Sequence, residues 1–274
     1  MISKARMVKP AALFTIGLSI FGHSWAQDTT QSQSPTELAI QATIPRSGFD
    51  LGFGFESLWM MSDGRLARVD VNNNTIADIE IPVGDGAAAL PDIAKYRGIA
   101  VGEGAVWITD LGNSAIYKVD PQTNALAMTI ATDVFGSGGS IGVGEGAIWV
   151  ITFDNHDKTL TRYNAQTGAV EAKIALPQPG KGVVVAYGAV WVTAAKEAEL
   201  YRIDPATNRI VSTTALHASS QIIGASDDSI WIAFETDGVA QRIDARTGAV
   251  IATIATGASD MESDGDITIG SGFV

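Results

Sequence analysis

Short runs of β-branched and small apolar residues alternate with Gly-, Asp- and Asn-rich breaks, and the alternation has a long period. Trp59, Trp107, Trp149, Trp191 and Trp231 stand 48, 42, 42 and 40 residues apart. The same segments surround each of them. A small apolar run comes first (Gly98-Ile-Ala-Val, Ser140-Ile-Gly-Val, Gly182-Val-Val-Val, Ile222-Ile-Gly-Ala) and predicts a buried strand, A. A tight turn such as Gly102-Glu-Gly or Tyr187-Gly leads into strand B, where the Trp sits among β-branched neighbours, as in Ala105-Val-Trp-Ile-Thr. Strand C alternates, as in Ala115-Ile-Tyr-Lys-Val-Asp. It carries a basic residue and, two positions on, an acid or amide: Arg68/Asp70, Lys118/Asp120, Arg162/Asn164, Arg202/Asp204, Arg242/Asp244. The C–D turn follows (Asp120-Pro-Gln-Thr-Asn, Asn164-Ala-Gln-Thr-Gly). Its leading Asp or Asn caps the turn, Pro pre-sets φ, and the final Asn or Gly tolerates positive φ. Strand D alternates again.

Four short antiparallel strands per unit of about 40 residues predict an all-β fold, a β-propeller of four-stranded blades. Helical periodicity is absent, which excludes α-solenoids, and a β-helix has a shorter period. Five complete blades are present. Asp266–Val274 matches strand A, the A–B turn and the start of strand B of another, so the chain is expected to be a truncated piece of a longer protein. Leu38–Pro45 resembles a strand D without its A to C strands, and is expected to close the ring in the last blade, removing exposed sheet edges.

Residues 1–26 read as a secretory signal peptide: Lys4, Arg6 and Lys9 precede the apolar stretch Ala11–Gly22, and Ser24-Trp25-Ala26 ends in a small residue. Residues 27–37 read as a flexible leader and 38–274 as the propeller domain. The expected location is periplasmic or secreted, without membrane insertion after signal cleavage. The chain has no Cys, which excludes disulfides, thiolate metal sites and a Cys nucleophile. Its formal net charge is −12, and removing the signal peptide takes away three positive charges more. Such a surface repels phosphate backbones and anionic lipid, so nucleic-acid partners are not expected. A monomer is the expected state.

The blocks Gly102-Glu-Gly-Ala-Val-Trp-Ile-Thr and Ile203-Asp-Pro-Ala-Thr-Asn-Arg-Ile resemble the YVTN-type and virginiamycin B lyase (streptogramin lyase)-like β-propellers, over roughly residues 38–274. The resemblance implies seven blades in the full protein and an exported bacterial origin. It also implies, for the lyases, essential His and Glu residues with a divalent metal on one face. Their His lies in runs just before strand A. The matching positions here are Arg97, Gly139, Lys181 and Gln221, none of which is His, so no catalytic residue carries over.

The A–B and C–D turns are stereotyped, whereas the D–A connections and B–C loops vary. Loops on a rigid scaffold carry function, so the D–A/B–C face is the expected site. The position ten before each Trp lies at the start of strand A and reads Phe49, Arg97, Gly139, Lys181 and Gln221. Arg97 and Lys181 suit a carboxylate or phosphate, or pair with neighbouring acids such as Asp133 or Asp50. His217 and His156, with Asp110 and Asp133, complete the ligand-binding candidates. Asp260, Glu262, Asp264 and Asp266 resemble a calcium loop, but Ser271 stands where the closing Glu belongs and no flanking helices are predicted. They are the candidate site for a divalent cation (Mg or Ca); no other cofactor is evident. The Trp series has the period of the repeat and is expected to pack blade against blade. No nucleophile elbow, phosphate loop or dinucleotide fingerprint occurs.

These observations favour an exported propeller that binds a small molecule or a protein through its D–A/B–C face. The resemblance supplies a metal-dependent carbon–oxygen lyase as alternative and, more weakly, a subunit of a periplasmic quinoprotein-type redox system.

Overall fold

Each repeat folds into one antiparallel sheet whose strands pair in chain order, in a computed structural model that describes residues 49–62, 65–82, 96–132, 140–154, 157–226, 228–234 and 237–256. Blade 1 is β1 (Phe49–Gly54), β2 (Ser57–Ser62), β3 (Arg65–Asp70) and β4 (Ile76–Ile79). Blade 2 is β5 (Tyr96–Gly102), β6 (Ala105–Asp110), β7 (Ala115–Asp120) and β8 (Ala125–Ala131). Blade 3 is β9 (Ile141–Gly144), β10 (Ala147–Asp154), β11 (Asp157–Asn164) and β12 (Val170–Ala175). Blade 4 is β13 (Gly180–Ala186), β14 (Ala189–Ala194), β15 (Glu199–Asp204) and β16 (Arg209–Ala215). Blade 5 is β17 (Ile223–Ser226), β18 (Ser229–Phe234), β19 (Val239–Asp244) and β20 (Val250–Ala255). The described residues form a β-propeller of five four-stranded blades and contain no helix. The expected signal peptide, leader, ring-closing strand 38–45 and partial blade 266–274 lie outside those residues.

The first strand of each blade is innermost. β1 packs on β5, β5 on β9, β9 on β13 and β13 on β17, whereas the fourth strands of blades 2 to 5 expose most of their side chains. The inner strands approach closely because one blade presents glycine where the next presents a β-branched residue. A Cβ on Gly52 would lie 2.9 Å from a Ile99 methyl, and one on Gly142 would lie 2.9 Å from Val183.

The second strands form the core. Trp59, Trp107, Trp149 and Trp191 are fully buried, each clustered with the second-strand aliphatics of the following blade. Trp231, beyond which no further blade is described, is half-buried. The Trp series therefore packs blade on blade, as its period predicts. The basic residue of strand C is its cross-strand partner in every blade, with Trp59 opposite Arg68 and Trp149 opposite Arg162. The cation lies 5.0 to 5.5 Å from the indole centroid in all five. In blades 1 to 4 it then reaches the C–D turn of the next blade. Arg68 donates to the Pro121 carbonyl (2.6 Å) and Asn124 Oδ1 (2.9 Å), Lys118 to the Ala165 carbonyl (3.0 Å), Arg162 to the Pro205 carbonyl (2.6 Å), and Arg202 to the Arg246 carbonyl (3.2 Å).

The C–D turns have the geometry their composition predicts. The carboxylate or amide oxygen of Asp70, Asp120, Asn164 and Asp204 accepts the backbone N–H two residues on, at 2.7 to 2.9 Å. Asp244 accepts from Thr247 N–H at 2.6 Å. The closing residue is left-handed throughout: Asn74, Asn124, Gly168, Asn208 and Gly248, with φ between 55° and 74°. The Thr207 and Thr247 hydroxyls first, then the backbone N–H bonds, hold the carboxyls of Asp204 and Asp244 below their ordinary value; at Asp120 the Gln122 N–H bond is the main cause.

Candidate functional site

The D–A connections and B–C loops interlock on one face of the sheets. In blade 4 the B–C loop is held from both sides. Gln178, on the connection from blade 3, accepts from the N–H of Lys196 (3.2 Å) and Glu197 (2.7 Å), and its amide donates to Glu199 Oε2 (2.9 Å). Ala195 N–H donates to the Pro179 carbonyl at 2.6 Å. On the other side Ser219, on the connection to blade 5, has the carbonyls of Ala194 (2.8 Å) and Ala195 (3.1 Å) as acceptors for its hydroxyl. Gln178 stands between two prolines, a rigid connection with one polar side chain, and that is the signal by which it could have been found.

One position of strand C faces this loop network in several blades. Tyr117 donates to Asp110 Oδ2 (2.9 Å), with the Pro82 carbonyl also in reach at 3.1 Å. Tyr201 donates to Glu199 Oε2 (2.7 Å), and Gln241 accepts from His217 N–H (2.9 Å). Burial first, and the carboxylate partner second, push the Tyr117 and Tyr201 phenols up to about 12.

Asp110 ends β6 and is buried. Its carboxylate also accepts from the Asn113 amide (2.5 Å) and backbone N–H (3.1 Å), which fixes the B–C loop of blade 2. His217 lies just beyond β16, half-exposed. Its Nε2 is 2.9 Å from Asp237 Oδ2, a B–C loop residue of blade 5, and its ring meets Phe234 edge-on at 5.3 Å. The ring is thus oriented by a carboxylate, an aromatic edge and its own backbone bond.

Lys181 and Gln221 lie at the start of the inner strands of blades 4 and 5. The β13–β14 ladder runs from Gly180 opposite Ala194 to Val183 opposite Val192, so Lys181 and Gly182 form a bulge. Bulges re-aim side chains and recur beside active sites. Gly182 N–H turns aside to Thr193 Oγ1 (2.9 Å), and Val183 N–H donates to Ser140 Oγ of blade 3 (2.9 Å). A Cβ on Gly182 would collide with the Gln221 carbonyl. Residues of three consecutive blades meet here. Lys181 is half-buried and Gln221 exposed, and neither side chain has a hydrogen bond or ion pair among the described residues. Arg97 falls in the corresponding bulge of β5, between Tyr96 and Ile99. Ser140 escaped sequence reasoning, although it stands where blades 2 and 4 have Gly98 and Gly182.

His156, Asp133, Asp260, Glu262, Asp264 and Asp266 lie outside the described residues. Among those described, no group of three or more His, Asp or Glu could hold a metal ion, and no helix is long and apolar enough to cross a membrane.

The opposite face is built differently. Its A–B turns are chained by Gly146 N–H donating to Glu103 Oε1 (3.0 Å) and Asp228 N–H to Tyr187 Oη (2.9 Å). An open concavity of about 580 Å³ lies there between blades 1 and 2, bounded by Phe55, Arg68, Lys118, Asp120 and Pro121. Its two cations are already engaged in blade-to-blade hydrogen bonds, so its size does not make it the better candidate site.

No protein-family profile and no curated protein matches the chain. Solved structures do. A streptogramin B lyase matches at 21% identity and TM-score 0.61, over 78% of this chain and 70% of that one. A catalytically inactive virginiamycin B lyase from Staphylococcus aureus, with quinupristin, matches at 16% and 0.60, over 84% and 73%. The computationally designed Ika8 protein matches at 11% and 0.57, over 81% and 64%. At such identities the likeness is one of fold, and the chain is a β-propeller whose fold resembles that of the streptogramin B lyases.

Proposed function

We propose that this chain is an exported binding module, periplasmic or secreted, whose D–A/B–C face takes a small molecule or a partner protein. The contrast between the two faces carries the reading. On the turn face Arg68, Lys118 and the Gly146 N–H are engaged in joining blades, whereas Lys181 and Gln221 on the loop face have no partner among the described residues. The loops around them are held rigid by Gln178, Ser219 and Tyr201, which preorganises a site. A screen of neutral and charged fragments against the 15N-labelled protein tests this. Shifts are expected to cluster at residues 178–182, 194–199 and 216–222. Shifts clustered on the turns at 103–104, 145–146 and 187–188 would overturn it.

A second reading, a metal-dependent carbon–oxygen lyase, is favoured by the fold likeness and by His217, whose imidazole is oriented by Asp237 as a proton-transferring His requires. Turnover of quinupristin with Mg2+, lost in His217→Ala, would support it. No turnover leaves the binding module.

A further inference from the structure

We propose that the inner-strand starts of blades 3 to 5 form an oxyanion site, with Lys181 supplying the charge and Ser140 and Gln221 the hydrogen bonds, for a ligand bearing a carboxylate or phosphate. The proposal rests on the loop-face reading above and names the ligand class that face takes.

Two contacts assemble the site. The Val183 N–H to Ser140 Oγ bond ties blade 4 to blade 3, and the close approach of Gly182 to the Gln221 carbonyl ties it to blade 5. Any side chain at 182 would push blade 5 away, so glycine there is a condition of the site. Among the described residues the donors are unengaged. Ser140 Oγ has accepted its bond, which leaves the hydroxyl proton to give outward. Gln221 exposes its amide and Lys181 its ammonium, without a carboxylate partner among the described residues. The Lys181 side chain is partly covered and has no counter-charge among the described residues, and a bound oxyanion supplies one through charge-assisted hydrogen bonds. The bulge holds Lys181 out of the ladder, and the buried Thr193 hydroxyl takes the N–H that the bulge frees. In a chain of net charge −12 a cation placed this way is a local exception, and its field acts over only about 10 Å in ordinary salt. The anion must therefore reach the strand starts themselves.

Inorganic phosphate and succinate, titrated separately into the 15N-labelled full chain at low salt, probe the two chemistries. Binding of one or both is expected, with shifts at Ser140, Gly180–Val183 and Gln221; which anion binds tells phosphate from carboxylate. Lys181→Met is expected to weaken binding about tenfold and Gln221→Ala about threefold, while Lys181→Arg stays near the parent. Unchanged melting temperatures separate these losses from misfolding. The proposal is overturned if neither anion binds, if Lys181→Met binds as the parent does, or if the shifts fall on the turn face. Should both anions fail while neutral fragments still shift the loop face, the ligand class is wrong and the binding module stands. Should the neutral fragments fail as well, both readings fall.

Discussion

Tyr117 and Asp110 show how one side chain can hold a loop. The phenol sits under the B–C loop of blade 2 and donates a hydrogen bond to a buried carboxylate that also takes two bonds from Asn113. Tyr201 and Glu199 repeat the arrangement in blade 4. Each phenol is raised from 10 to about 12. The folded state therefore keeps a proton that the unfolded state gives up from pH 10 upward. The stability this contributes is complete below pH 10 and lost as pH rises through about 12. In an alkaline absorbance titration the two phenols are expected to ionise last. Tyr117→Phe and Tyr201→Phe should each delete one late step and lower stability at neutral pH by about 1 kcal/mol, one hydrogen bond's worth. A late step that survives both substitutions would refute the assignment. The exposed aspartates of the C–D turns have depressed carboxyls and act at the other end of the scale. Their contribution is present above the ordinary value of 3.8 and lost as pH falls below it.

The inner strand is the element most narrowly constrained. Gly142 admits the methyls of Val183 and Val185 from the next blade, at 2.9 and 3.1 Å from where its Cβ would be. Gly142→Val is expected to lower stability by about 1–3 kcal/mol through overpacking, measured as a lower urea midpoint. The exposed Val170 on β12 of the same blade faces solvent, and Val170→Thr should leave the midpoint nearly unchanged. The first and fourth strands of a blade thus have similar apolar content and opposite tolerance. Their place in the sheet makes the difference.

The blades hold together through a repeated contact in which a cation crosses the face of its own Trp to cap the next blade's turn. Arg68→Ala removes the contact over Trp59 and the bonds to Pro121 and Asn124. The expected cost is about 2–3 kcal/mol, from charge-assisted hydrogen bonds and the cation–π term together. Arg68→Lys should recover part of it, since Lys118 serves between blades 2 and 3. Denaturant unfolding of the three proteins checks the order. Equal midpoints for Arg68→Ala and the parent would show that the blades are held by their aliphatic core alone.

Periodicity by itself determined the blades, the four strands in each, the turn chemistry and the role of the tryptophans. These are local or repeating features. A two-residue alternation sets which face of a strand is buried, and an Asp-Pro-x-x-Asn run sets a turn wherever it occurs. The basic residue after each Trp was legible as a repeat but not as a blade-to-blade bond, because its partner is 43 to 53 residues away and is a carbonyl, which every residue has. The candidate site was legible only in part. Lys181, Gln221 and His217 stand out as departures from the repeat, but their neighbours do not. Ser140, Asp237 and Gln178 come to the site from other blades or loops, and only the stacking of sheets decides which loop meets which. A repeat specifies what every blade shares. A site assembled from the differences between blades exists only once the tertiary structure has set them side by side.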